Sequence, residues 1–117
     1  MSVEYRQHPA HLEVVITGDY STASALVVLD EIREQAVQSG HTSILADVTG
    51  TTGAFSSFDR YELGSKLVEL FHGRYKIVTV ELAKRINKMV ENVAVNRGVN
   101  YFITDNREAA LGWLLDQ

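Results

Sequence analysis

The chain has 117 residues, a formal net charge of −4 at pH 7, 45% hydrophobic residues and no cysteine. This length is enough for one domain with one core, and the lack of cysteine excludes disulfides, thiolate metal sites and thiol nucleophiles. The negative charge argues against nucleic acid as a partner. No apolar run is typical of a signal peptide or long enough to span a bilayer. We therefore expect one cytoplasmic domain over residues 1–117.

The first half of the sequence predicts a hairpin, a helix and a buried strand. Residues 2–7 alternate weakly and residues 11–18 are rich in β-branched side chains, with Pro9-Ala10 between them, so the two segments predict an edge hairpin. Apolar residues at three- and four-residue spacing predict a helix over 21–39 that ends before a glycine. The apolar run 42–48 predicts a buried strand.

The second half alternates helices and strands. Leucines at helical spacing predict a helix that starts near Ser56 and ends before Gly73, and residues 75–82 predict the next strand. A third helix is predicted over 83–97, followed by a last strand over 99–105.

The final segment predicts a helix whose start is marked by Asp105 and Glu108, which have capping-box spacing, with Trp113 on its core-facing side. The order of elements is ββαβαβαβα. It predicts an α/β fold: a single, mostly parallel five-stranded sheet with an antiparallel N-terminal edge strand and four helices.

The stretch "ADVTGTTGAFSSFD" (residues 46–59) follows a parallel strand, on the side of the sheet where ligands usually bind. It could bind a phosphate, carry one, or only connect a strand to a helix. The segment lacks the G-x-x-x-x-G-K-[ST] and G-x-G-x-x-G patterns of nucleotide loops. Local chemistry favours a connection in which Ser56 caps the helix and Asp59 lies three residues on.

The stretches "ILADVTGTTGAFSSFDRYELGSKL" and "VAVNRGVNYFITDNREAALGWLL" resemble the STAS domain, in its SpoIIAA-like branch. That family includes anti-sigma-factor antagonists and shares its fold type with lipid-binding CRAL-TRIO domains. In the antagonists a strand ends in Asp-x-Ser/Thr, and Asp-Ser-Ser/Thr-Gly begins a helix. A partner kinase phosphorylates the first serine of the second motif.

The resemblance places this chain's residues on those motifs. Asp47-Val48-Thr49 matches the first pattern, and Ser56 falls on the phosphoacceptor with Ser57 on the next hydroxyl. Phe55 replaces the aspartate and Phe58 replaces the glycine. The phosphoacceptor candidates are therefore Ser56 first, then Ser57 and Thr49.

The resemblance implies a non-enzymatic regulatory module that binds a protein partner, such as an anti-sigma-factor-like kinase or another signalling component. The expected partner-binding surface comprises Asp47, Phe55, Phe58, Asp59 and Tyr61. A phosphate on Ser56 would meet the positive end of the helix dipole, so its charge would oppose an acidic partner without unfolding the domain. The edge strand and the aromatic residues also favour a homodimer.

Two other groups of side chains were candidates for binding. Lys84, Arg85 and Lys88 fall in the first turns of the predicted third helix, where cations oppose the dipole, so they are either an anion contact or a solvated polar face. His8 and His11 lack a nearby pair of carboxylates and are expected to be solvated. The sequence therefore predicts no metal site, no cofactor and no catalytic residues.

An alternative function follows from the likeness to CRAL-TRIO domains, namely a carrier of a lipid or another small apolar ligand. It requires an apolar pocket beneath the helix over residues 58–71. In a chain of 117 residues we expect little room for both a complete core and a large cavity.

Overall fold

A single sheet organises the molecule. The computed structural model describes residues 1–116. The sheet has strand order β1-β2-β3-β4-β5. Strand β1 is antiparallel to β2, and all other neighbours are parallel, which confirms the predicted sheet. The strands are β1 (Ser2–Gln7), β2 (Leu12–Asp19), β3 (Ser43–Thr52), β4 (Lys76–Val80) and β5 (Asn100–Thr104).

Helices cover the sheet unequally. The first three pack on one face with the larger core cluster, and the last packs on the other face with the smaller cluster. Alternate residues of a strand point to opposite faces, so Ile44 of β3 belongs to the larger cluster and Leu45 to the smaller one. The helices are α1 (Thr22–Ser39), α2 (Ser57–Phe71), α3 (Met89–Asn96) and α4 (Arg107–Leu115), with a 3₁₀ turn at Ala83–Arg85.

Serine caps start the first two helices, and the cap at Ser56 confirms the prediction. Ser21 caps α1 and Ser56 caps α2, each through a reciprocal pair of hydrogen bonds with the residue three positions on. Gly40 ends α1 in the left-handed conformation, with φ at 78°. These local signals were therefore sufficient to place both helices.

The strand predicted over residues 42–48 was too short. Strand β3 continues to Thr52, because its second half pairs with the end of β2, where Thr17 is opposite Gly50 and Asp19 is opposite Thr52. Residues 46–52 of the stretch "ADVTGTTGAFSSFD" are thus part of a strand, and only residues 53–56 connect β3 to α2.

The third helix also differs from the prediction over 83–97. A 3₁₀ turn comes first, the chain becomes extended at Ile86, and α3 begins at Met89 with Lys88 as its N-cap. Asn87 accounts for the break, because its side-chain oxygen accepts the backbone N–H of Met89 at 2.9 Å and forms a local turn. Lys84 and Arg85 therefore do not lie in the first turn of an α-helix.

The start of α4 differs from the prediction. Its N-cap is Asn106, whose side-chain oxygen accepts the N–H of Ala109 at 2.9 Å, in place of the expected Asp105. Trp113 packs against the smaller core cluster, on the predicted side of α4, but is only half-buried, with its ring 5.5 Å from that of Phe102 and the Lys76 ammonium 4.6 Å from the ring centroid. None of the helices described between residues 1 and 116 has the length and apolar character needed to cross a bilayer.

Gly53, the first residue after β3, has φ at 122°, and a Cβ atom there would lie 2.5 Å from the carbonyl oxygen of Tyr20. We expect Gly53→Ala to lower the free energy of unfolding by about 1–3 kcal/mol, because alanine strains this backbone. Gly112→Ala in α4 is the control, since its Cβ would have no described atom within 4 Å. That control should stabilise the protein by about 0.5–1 kcal/mol. Urea unfolding of both variants measures the difference, and equal stabilities would contradict the strained geometry.

Candidate functional site at the β3–α2 connection

The side chain of Ser56 lies at the tip of α2. Its Oγ accepts the backbone N–H of Asp59 at 3.1 Å, while the Asp59 carboxylate accepts the backbone N–H of Ser56 at 2.8 Å. This backbone hydrogen bond holds the pKa of Asp59 below its usual value. Ser56 is exposed and Asp59 is half-buried, so the hydroxyl is accessible although it is part of the helix cap.

Two arginines fix the backbone of the connection. Arg85 donates from Nη1 to the carbonyl of Thr51 at 3.0 Å and from Nη2 to the carbonyl of Gly53 at 2.9 Å. Arg60 donates from Nε to the carbonyl of Phe55 at 3.3 Å. The connection is therefore held from the 3₁₀ turn on one side and from α2 on the other.

The three cations of the candidate anion contact have different surroundings. The Arg85 guanidinium is engaged with the backbone carbonyls of the connection, and its Nε lies 3.5 Å from the Glu81 carboxylate. Lys88 donates to the carbonyl of Ile103 at 3.3 Å and lies 3.4 Å from Glu91. Lys84 is exposed. An anion contact at these residues stays a prediction.

The aromatic residues of the segment divide between interior and surface. Phe55 is half-buried and meets the Tyr20 ring edge to face at 5.9 Å. Phe58 is 70% exposed and Tyr61 is 43% exposed, three residues apart on α2. Tyr61 accepts a hydrogen bond from Arg97 Nη2 at 2.8 Å, which lowers the pKa of its phenol. An apolar surface thus lies beside Ser56.

Asp47 and Thr49 lie apart from this surface. Asp47 Oδ1 accepts both the backbone N–H of Thr49 at 3.0 Å and its hydroxyl at 2.7 Å, and Asp47 Oδ2 is 3.6 Å from Arg107 of α4. Both side chains therefore point to the α4 face of β3. The structure brings together Ser56, Phe58, Asp59 and Tyr61 but leaves the Asp-x-Thr pattern elsewhere.

A cavity of about 450 Å³ lies between the sheet and the first three helices, beside the connection. Its floor includes Ala46 and Ile77 of the sheet, and its roof includes Leu63 and Leu67 of α2. Ligand pockets commonly have volumes of about 300–1,000 Å³. The expectation of little room for a cavity was therefore wrong: an apolar pocket does lie beneath α2, as the alternative function requires.

Charged side chains line the cavity on the carboxyl side of the sheet. Two of them, Glu81 and Arg60, were not among the candidates predicted from the sequence. Glu81 follows β4, and burial raises its pKa although its carboxylate accepts the N–H of Leu82 at 2.7 Å. Arg60 and Lys84 are further charged members of the lining. The position of Glu81 directly after an apolar strand was the available signal, because carboxyl ends of parallel strands border ligand sites.

Comparisons with known proteins identify the fold. No family model and no curated protein sequence matches the chain. Among solved structures, an anti-sigma factor antagonist from Mycobacterium paratuberculosis superposes with a TM-score of 0.67 at 11% identity, over 98% of this chain and 94% of that one. A serine-to-glutamate variant of RsbS from Moorella thermoacetica has a TM-score of 0.57 at 16% identity, over 97% and 95%.

A third solved structure has the same architecture. It is a protein of the DUF3478 family with a SpoIIAA-like fold from Shewanella loihica PV-4, with a TM-score of 0.55 at 17% identity, over 97% of this chain and 92% of that one. The resemblance noted in the sequence is thus confirmed at the level of the fold: this chain has the SpoIIAA-like fold that anti-sigma factor antagonists share.

The cap at the start of α2 can be tested separately from any modification. Ser56→Ala removes the acceptor for the Asp59 N–H, so we expect a loss of about 1 kcal/mol in the free energy of unfolding. Ser57→Ala is the matched control, because the neighbouring hydroxyl is exposed and does not cap the helix. Denaturant unfolding should show the loss only for Ser56→Ala. Equal losses would mean that Ser56 is not the effective cap.

Proposed function

We propose that this chain is a non-enzymatic regulatory module that binds a protein partner through the surface formed by Ser56, Phe58, Asp59 and Tyr61, hereafter the α2 surface. The observation that carries the proposal is the 70% exposure of Phe58 beside an accessible serine at a helix tip. Large exposed aromatic side chains are frequent anchors of protein interfaces. The partner class is an anti-sigma-factor-like kinase or another signalling component, by likeness to the fold's antagonists.

Ser56 is the proposed switch. Phosphorylation adds about −1.5 to −2 charges, which the N-terminal end of α2 can accommodate through its dipole and free N–H groups. The Asp59 carboxylate is hydrogen-bonded to the backbone N–H of Ser56 and adds negative charge at the same place. The domain therefore stays folded, and the added charge repels an acidic partner surface that approaches Phe58.

The α2 surface is tested with a partner isolated by pull-down and then purified. We expect Phe58→Ala to weaken its affinity by tenfold or more, because truncation of an interface anchor commonly costs about 2 kcal/mol or more. Ser56→Asp should also weaken binding, whereas Ser56→Ala should leave it nearly unchanged. Isothermal titration calorimetry measures all three.

The control is Val37→Ala, which removes an exposed apolar side chain near the end of α1. It should not change the affinity. Unchanged affinity for Phe58→Ala would exclude the α2 surface as the binding site. Unchanged affinity for Ser56→Asp would exclude the switch while leaving the surface in place.

The cavity favours a second candidate function, that of a carrier for a small apolar ligand. Apolar side chains of the sheet and of α2, among them Ile77, Leu63 and Leu67, line this space. A concave, mostly apolar pocket with a few charged groups at one end is typical of sites for small molecules. A small apolar molecule would bury its surface against these side chains. Its polar end would lie near Arg60 and Lys84, two of the cations that line the cavity.

The carrier function is tested by filling the cavity from its floor. Ala46 is buried on β3 and lines the cavity, so Ala46→Phe should occupy the space and lower the affinity for a fluorescent long-chain fatty acid by at least tenfold. Native mass spectrometry of the freshly purified wild type should show a co-purifying small molecule that this variant lacks.

The control for that experiment is Val37→Phe, which adds an aromatic ring on the surface of α1, away from the cavity. It should bind the fatty acid like the wild type. A wild type that carries no ligand and binds the probe no better than Ala46→Phe would exclude the carrier function.

A further inference from the structure

The hairpin between β1 and β2 brings two histidines and a glutamate together on the face that α4 packs against. Antiparallel partners share a face, and Arg6 is opposite Glu13 in the register. Two pairs further on, and so on the same face, the backbone N–H of His8 donates to the carbonyl of His11 at 3.0 Å. The rings of these histidines stack, with centroids 4.4 Å apart and planes within 5°. Ligating atoms from His8, His11 and Glu13 lie within 4.8 Å of one another.

His11 is buried and incompletely satisfied. It is 7% exposed, contrary to the expectation of a solvated histidine, and its Nε2 has no hydrogen-bond partner among the described residues. A buried nitrogen without a partner costs free energy comparable with a lost hydrogen bond. The cluster therefore contains an atom that requires a further partner.

Glu13 is 2% exposed and divides its two carboxylate oxygens between different groups. Oε2 accepts a hydrogen bond from Arg107 Nη2 at 2.6 Å, while Oε1 is 2.7 Å from His8 Nε2. Ligating carboxylates are commonly oriented in this way by an outer hydrogen bond to the second oxygen. Arg107 thus holds Glu13 with Oε1 directed at the histidines.

We propose that His8, His11 and Glu13 form a binding site for a divalent transition-metal ion, with zinc the best match. Two imidazoles and one carboxylate are a ligand set that zinc uses in proteins, with water in the fourth position. The side chain of His8 is 38% exposed, so solvent reaches the site. The ion would replace the hydrogen bond between His8 and Glu13 and give His11 the partner that it lacks.

The geometry requires only small side-chain movements. A tetrahedral ion with bonds of about 2.0 Å holds its ligand atoms roughly 3.3 Å apart, compared with the 4.8 Å limit of the cluster. The positive charges of Arg107, 2.6 Å from Glu13, and Arg6, 3.8 Å away, oppose the ion and reduce its affinity. Glu13 supplies the negative charge that offsets this repulsion.

The site is tested with tag-free protein stripped with a chelator and titrated with ZnSO₄ by calorimetry. The wild type should bind one Zn²⁺ per chain, and His8→Ala should weaken the affinity by at least tenfold. Because the side chain of His8 is partly exposed, that variant should remain folded. Titration with Co²⁺ gives an independent readout, because tetrahedral cobalt bound by the wild type absorbs visible light far more strongly than hydrated cobalt.

His72→Ala is the matched control, since it removes an exposed histidine outside the cluster and should leave Zn²⁺ affinity unchanged. Glu13→Gln keeps a hydrogen-bond acceptor for Arg107 but removes the anionic ligand, so it should weaken binding like His8→Ala. The proposal would be overturned if the wild type bound Zn²⁺ no more tightly than His8→Ala. It would also be overturned if the cobalt spectrum of the wild type were identical to that of the hydrated ion.

Discussion

β3 must bury side chains on both of its faces, and the rest of the molecule depends on this constraint. Ile44 and Leu45 are consecutive and both fully buried, the first toward the three-helix layer and the second toward α4. Strands β2 and β4 pair with β3 in parallel and extend both layers. A strand that is apolar on both faces is stable only when helices cover both sides, which requires the alternating order of strands and helices along the chain.

The two faces of β3 differ in chemical character toward its carboxyl end. On the three-helix face the small side chain of Ala46 follows Ile44, so the space beneath α2 is not filled and a cavity remains. On the α4 face Leu45, which is opposite Glu13 of β2, is followed by Asp47. Burial alone would raise the pKa of Glu13, but hydrogen bonds from Arg107 and His8 lower it. One face thus leaves an apolar space, and the other holds a charged cluster.

The sequence predicted the features that depend on nearby residues and missed those that depend on distant ones. Alternation and helix signals predicted the order of elements along the chain, the mostly parallel sheet with its antiparallel edge strand, and the starts of α1 and α2. The last residues of β3 contain threonines and a glycine, and they are strand only because β2 extends beside them past an irregularity between Val15 and Thr17. The hairpin was predicted, but its register, which brings His8 opposite His11, comes from the structure. Glu13 alternates onto the same face, but its burial requires Arg107, 94 positions away.

The two proposed functions share α2, because Leu63 and Leu67 line the cavity while Phe58 and Tyr61 face outward. The start of this helix is held through the carbonyls of the connection by Arg60 and Arg85, side chains that also line the cavity. A ligand that binds more tightly when α2 is in one of two positions therefore shifts the population of the protein toward that position. A partner bound to the outer side of the same helix, as proposed, would then bind with an altered affinity, and by linkage it would alter ligand affinity by the same factor. In this geometry the two proposed functions would act through one coupled element.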